Sequence, residues 1–175
     1  KIDYVEPARE RIVRARNLIV EKVLEGDYDY FLSLEQDVIP PSDAIQRLLL
    51  HNKDIVSALY FKKCDIKVGD SFRKEVLPLV YVEHDKSKDL VRQPRFKEVS
   101  GNDLMEISSC GVGCLLIHRK VFEKGVRFRY DKDKPPFDDI WFCKDARKEG
   151  FDIFLDCSIK CKHLTEGMDW DSIEK

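Results

Sequence analysis

The apolar run Tyr30-Phe31-Leu32-Ser33-Leu34 ends in Glu35-Gln36-Asp37 and, after Val38-Ile39, meets the proline pair Pro40-Pro41. Residues 30–34 lack a clean polar alternation, which predicts a strand covered on both faces, the habit of parallel sheets in α/β proteins. Its two carboxylates, one residue apart, stand at the C-terminal end, where open α/β sheets bind their ligands. Two hard oxygen ligands at that place suit a divalent cation that holds phosphates. An acidic turn leading into the next helix is the plainer alternative.

The same spacing rules place the remaining elements. Pro7 opens a stretch in which Ile12, Ala15, Ile19 and Val23 recur at helical spacing, with Gly26 to end it. Its polar side carries Arg9, Arg11, Arg14, Arg16 and Asn17, a face either solvated or turned toward a phosphate. A second helix is expected from Asp43 to His51, with Ser42 as N-cap and Ile45, Leu48 and Leu49 inward, followed by a buried strand over Asp54 to Tyr60. Helix, strand, helix, strand predicts right-handed crossovers and a mainly parallel sheet.

Residues 61–103, Lys-rich around a strand at Leu77 to Glu83, read as a hairpin and loop excursion on the functional edge. Gly111 and Gly113 precede the apolar stretch Cys114 to His118 and allow close approach of another chain or a ligand. Phe137-Asp138-Asp139-Ile140 opens a helix that ends at Gly150, with both acids near its positive end. A strand over Asp152 to Cys157 and the segment to His163 close the core, leaving 164–175 as a peripheral acidic tail.

Composition narrows the class. The 175 residues fit a single domain, 1–175, and 43% hydrophobic content excludes a disordered chain. With 31 basic against 33 acidic residues the net charge of -2 offers no field to attract nucleic acid. No apolar run approaches the roughly 20 residues of a membrane span and no signal peptide opens the chain, so a soluble, cytoplasmic protein is expected. Charged residues at 37%, with few Asn and Gln, lean toward a thermophile. The six cysteines are expected as buried thiols or one or two disulfides; the spacings 110/114 and 157/161 are not the C-x-x-C of zinc ribbons.

An Arg-Ala-Arg-Asn helix, a strand ending Glu-x-Asp, a Gly-Val-Gly before a strand, an Asp-Asp at a helix start and a His after the last strand resemble, in that order, the glycosyltransferases of the GT-A fold, family-2-like enzymes in particular. The resemblance spans roughly residues 8–163. It implies an α/β fold of Rossmann-like type, a three-layer α/β/α sandwich with a mainly parallel central sheet. It also implies transfer of a sugar from a nucleotide-diphosphate donor to a hydroxyl of a glycan, protein or lipid-linked acceptor, by an inverting displacement.

Carried onto this chain, the resemblance makes Asp37 a ligand of Mn²⁺ or Mg²⁺, Glu35 a contact to the metal or the donor ribose, and His163 a third ligand. Imidazole beside carboxylates tilts the choice toward Mn²⁺. Asp139 matches the general base, Asp138 a residue that orients the acceptor, and the helix end should keep Asp139 ionised. Arg14, Arg16, Asn17, Gln36, Gly111 and Gly113 fall where the family meets its donor. Glu35 stands where the family has Asp, and the family's opening strand has no counterpart here beyond residues 1–5. A nucleotidyltransferase and a non-catalytic carbohydrate-binding module are the competing readings; the first lacks its Gly-rich basic loop, and the Glu35 substitution favours the second.

Overall fold

The computed structural model describes residues 2–5, 11–85, 90–101, 104–131 and 137–164. Helix α1 (Ile12–Glu25) buries Ala15, Arg16, Val20 and Val23 and stops at Gly26, whose N–H bonds Lys22 O at 3.0 Å. Ile12, expected inward, is exposed. Strand β1 (Tyr30–Leu34) is followed by a turn, the short strand β2 (Val38–Ile39) and helix α2 (Ala44–Leu50), which seats Ala44 and Leu48 rather than Leu49 in the core. Strand β3 (Ile55–Leu59) is buried at every position.

Residues 61–85 and 90–101 contain a hairpin, β4 (Phe61–Val68) with β5 (Ser71–Pro78), then β6 (Val80–Asp85), β7 (Leu90–Arg92) and the single turn α3 (Phe96–Val99). The chain returns through β8 (Leu104–Ile107), β9 (Ser109–Cys110) and β10 (Cys114–His118), then α4 (Arg119–Glu123). Helix α5 (Asp138–Lys148), strand β11 (Ile153–Lys160) and the short β12 (Lys162–His163) complete the order. Residues 2–5 form no strand, and 165–175, with most of the expected tail, lie outside the described residues.

The mainly parallel, Rossmann-like sandwich expected from the sequence is corrected by the central sheet. Its order is β1-β10-β3-β11-β8, and three of its four pairings are antiparallel; only β3 and β11 run side by side in parallel. The remaining sheets are small and antiparallel, so the architecture is mixed α/β with mostly antiparallel pairing. The physical reason lies in β10. Strands β1 and β3 both run opposite to β10 and therefore point the same way, as a crossover through α2 requires, but β10 comes back from the excursion and inserts between them. An antiparallel strand buried on both faces carries the same continuous apolar run as a parallel one, so burial pattern does not reveal direction.

Two clusters of buried side chains fill the faces of this sheet. On one side α1, α4 and α5 contribute Val20, Val23, Val121, Phe122, Phe142 and Ala146 against Ile55, Leu115, Ile117, Ile153 and Leu155. On the other, α2 sets Ala44 and Leu48 against Val56, Ala58, Leu116 and Ile159. All six cysteines are thiols with no disulfide among them.

An irregularity in β11 decides where the end of the chain's core goes. The pairing of β11 with β3 shifts between Asp156 and Lys160. The buried Asp156 carboxylate shapes that shift: its Oδ1 accepts from Ser158 N at 2.8 Å, Ser158 Oγ at 2.5 Å and Ile159 N at 3.2 Å, and its Oδ2 meets His51 Nε2 at 2.7 Å. Burial disfavours the charged carboxylate, yet the bonds from His51 and Ser158 outweigh it and hold Asp156 below the usual value. The bulge redirects the chain so that β12 pairs with β2, placing His163 opposite Val38.

Candidate functional site

Strands β1, β3 and β11 point the same way, and their C-terminal ends deliver Glu35-Gln36-Asp37, Tyr60 and, after the bulge, His163 to one end of the sheet. Glu35 N donates to Gly113 O at 3.0 Å and Val38 N to Glu35 O at 3.0 Å, which folds residues 35–38 into a closed turn. The Leu164 N–H holds Asp37 O at 2.7 Å from the other side.

Arg16 leaves α1 with its guanidinium almost fully buried. Nη2 donates to Glu35 Oε1 at 2.5 Å and Nη1 donates to Asp138 Oδ2, while the cation lies 5.6 Å from the Phe128 ring centroid. Asp138 is itself buried at 7% exposure, in the first turn of α5, so Arg16 is the counter-ion that makes two inward carboxylates tolerable.

Asp37 faces His163, with Oδ2 3.4 Å from Nε2. The other ring nitrogen of His163, Nδ1, lies 2.8 Å from Phe61 O. A carbonyl only accepts, so Nδ1 donates to Phe61 O, and Nε2 is the nitrogen turned to the Asp37 carboxylate. With a proton on Nε2 the contact is an ion pair; without one, the two acceptors are placed to share a metal ion. The 3.4 Å gap is close to the roughly 3 Å between adjacent ligands of an octahedral ion bound at about 2.1 Å. A hard oxygen with an imidazole fixed through its far nitrogen is a donor set suited to Mn²⁺. Among the described residues no three His, Cys, Asp or Glu side chains gather into a complete metal-holding group. Glu35, the first acid of the Glu-x-Asp motif, is engaged by Arg16.

Asp139, next on α5, accepts from Ile140 N at 2.7 Å. Its carboxyl is nevertheless pushed up to about 6, by burial first; the Ile140 bond opposes this, the neighbouring Asp138 adds to it, Arg16 opposes and Glu35 adds. Burial beside like charges therefore overrides the helix end that was expected to keep its value low. Glu35 is raised for the same reasons, burial leading, with Arg16 opposing and Asp37 adding. Glu35, Asp37, Asp138 and Asp139 thus share one electrostatic environment with Arg16 and His163.

Of the other sequence candidates, Gly111 and Gly113 are buried here, but the group that approaches them is the Tyr60 side chain. Gln36 sits exposed at the tip of the turn. Arg14 and Asn17 do not join Arg16: on α1, two residues apart means about 200° of rotation, so Arg14 projects from the far side. It lines a surface depression there with Arg11, Val13, Leu18 and Glu21. Asn17 holds the backbone of Phe128 through two bonds, Nδ2 to Phe128 O at 2.8 Å and Phe128 N to Oδ1 at 3.0 Å.

Two tyrosines belong to the site without having been singled out. Tyr60 sits between β3 and β4, and Tyr81 on β6 is close enough to Asp139 for that charge, after burial, to raise its hydroxyl. The available signal was Tyr60 itself, a polar-tipped aromatic at the end of a buried strand whose one polar residue is Ser57.

No family model and no curated protein matches the chain. Among solved structures it is similar to the crystal structure of A197 from STIV, with a TM-score of 0.52 and 17% identity over 90% of this chain and 70% of that one. A likeness at that identity concerns the fold. No helix among the described residues is long and apolar enough to cross a membrane.

Proposed function

We propose that this chain is a metal-dependent glycosyltransferase that moves a sugar from a nucleotide-diphosphate donor to a hydroxyl acceptor on a glycan, protein or lipid. The observation that carries the reading is the Asp37 carboxylate facing Nε2 of His163 across 3.4 Å. These two residues would hold Mn²⁺ or Mg²⁺, which when bound supplies Lewis-acid neutralisation of a leaving diphosphate. Arg16 holds Glu35 and Asp138 in place, and Asp138 positions the start of α5 rather than touching an acceptor.

Asp139 is the base. With a carboxyl raised to about 6 it is mostly ionised at neutral pH and still basic enough to take a proton. It accepts the acceptor's hydroxyl proton as that oxygen forms its bond to the anomeric carbon and the bond from that carbon to the diphosphate oxygen breaks. A single displacement of this kind inverts the anomeric centre. Six cysteines without a disulfide suit the reducing cytoplasm as the place of action.

The closure of Arg16 on Glu35 favours a second reading, a binding module of the same specificity without turnover. Calorimetric titration with Mn²⁺, followed by hydrolysis of the common nucleotide sugars with and without Mn²⁺, tests both. Binding of Mn²⁺ that is lost in Asp37→Ala and His163→Ala, with metal-dependent hydrolysis of at least one donor, is the expected result. Binding without hydrolysis selects the module; no Mn²⁺ binding at millimolar concentration refutes the reading.

A further inference from the structure

We propose that Tyr60 is the positioning residue of this site, and that Gly111 and Gly113 are glycines to make room for it. Tyr60 is 2% exposed, and its hydroxyl accepts the Gly113 N–H at 2.9 Å. A Cβ at Gly111 would stand 2.2 Å from the Tyr60 hydroxyl oxygen and 3.7 Å from Asp139 Oδ2. At Gly113 it would stand 2.8 Å from Tyr60 Cζ and 2.8 Å from Val38 Cγ2. Neither glycine is among the residues with positive φ, so the demand for glycine is one of space and not of backbone conformation.

The ring makes one further contact in the site, and the residues beside and beneath it make two more. Its edge packs against the His163 imidazole, centroids 5.6 Å apart and planes at 85°. The next residue, Phe61, supplies the carbonyl that binds His163 Nδ1, so consecutive residues orient the imidazole by ring and by backbone. The loop that Tyr60 grips also holds the acidic turn, since Gly113 O accepts the Glu35 N–H. Tyr60 therefore sets the relation between the loop at 111–113, the Glu35–Asp37 turn and His163, with Asp139 beside it. A tyrosine that merely filled the core would not couple to the glycines in this selective way.

The test is a set of double variants. Gly111→Ala lowers the urea midpoint sharply, because its Cβ meets the hydroxyl. Tyr60→Phe removes that oxygen and leaves Cζ at 3.2 Å, a gap small shifts can absorb, so Tyr60→Phe/Gly111→Ala regains most of the loss. Tyr60→Phe does not rescue Gly113→Ala, where the ring carbon and Val38 still block the Cβ. Mn²⁺ affinity by calorimetry follows the same order: down about tenfold or more in Gly111→Ala and recovered only in part in the double variant, which keeps the ring on His163 but lacks the hydroxyl's bond to Gly113. If Gly111→Ala does not fold, recovery of a folded double variant supports the proposal equally, and a double variant that also fails to fold overturns it. Unchanged stability of Gly111→Ala, or a double variant no better than the single one, overturns it as well. The metal arm rests on the function proposed above: a wild type that fails to bind Mn²⁺ refutes that function, while the order of midpoints still judges Tyr60.

Discussion

Arg16→Met removes the cation that Glu35 and Asp138 share while keeping an unbranched apolar stem against Phe128. The two arms of the bridge are unequal. Arg16 and Asp138 are 8% and 10% exposed at the side chain, and breaking a buried pair by deleting one partner costs about 3–5 kcal/mol. The Glu35 carboxylate is 37% exposed, so solvent screens its loss to about 1 kcal/mol or less. Methionine recovers part of the packing, leaving an expected loss of about 3–4 kcal/mol at pH 7. With a urea slope of about 2 kcal/mol/M, the midpoint moves by about 1.5–2 M.

The pH dependence of that loss has a definite sign. Arg16 lowers the carboxyls of both Glu35 and Asp139, which already lie above their ordinary 4.5 and 3.8. Without it their folded values rise further, so the folded state holds more protons than the unfolded one and stability falls as pH climbs through that window. The defect should therefore be smaller at pH 5 than at pH 7. Urea unfolding followed by tryptophan fluorescence at both pH values measures it. A variant within about 1 kcal/mol of wild type at both would mean that no shared counter-ion holds these carboxylates together.

Asp139→Asn should uncouple stability from activity. The Asp139 carboxyl, raised from 3.8 to about 6, costs the fold nothing below pH 3.8 and most as pH rises past 6, so the amide should gain on the order of 2 kcal/mol at pH 8 while abolishing sugar transfer; a variant that kept near-normal turnover would end its assignment as base. Asp156→Ala removes four hydrogen-bond partners from the β11 bulge and should cost about 3 kcal/mol in urea unfolding at pH 7. Because the folded Asp156 value is depressed, its contribution is present above 3.8 and fades as pH falls through the folded value, so wild type and variant should converge in acid. The same variant should lose Mn²⁺ affinity if the bulge is what brings His163 beside Asp37, and unchanged affinity would separate the two.

Local pattern determined a good deal of this protein. Helical spacing between Ile12 and Val23 with Gly26 beyond, the apolar runs at 30–34 and 54–60, and the acidic start of the helix at Asp138 each became a helix or strand as described, except that β1 lies at the sheet edge with Leu34 exposed and not covered on both faces. That Glu35 and Asp37 after β1 and His163 after β11 lie at one end of the sheet was also legible, because β1 and β11 do point one way. Partners and directions were not. Burial is a property of a segment, whereas pairing is a property of two, and nothing within Cys114–His118 states that it will lie reversed between β1 and β3. Arg16 looked like one cation on a basic face until Asp138, 122 residues away, closed on it. The glycines at 111 and 113 announced a close approach, but what approaches is a tyrosine ring from another strand, set there by packing that only the folded chain contains.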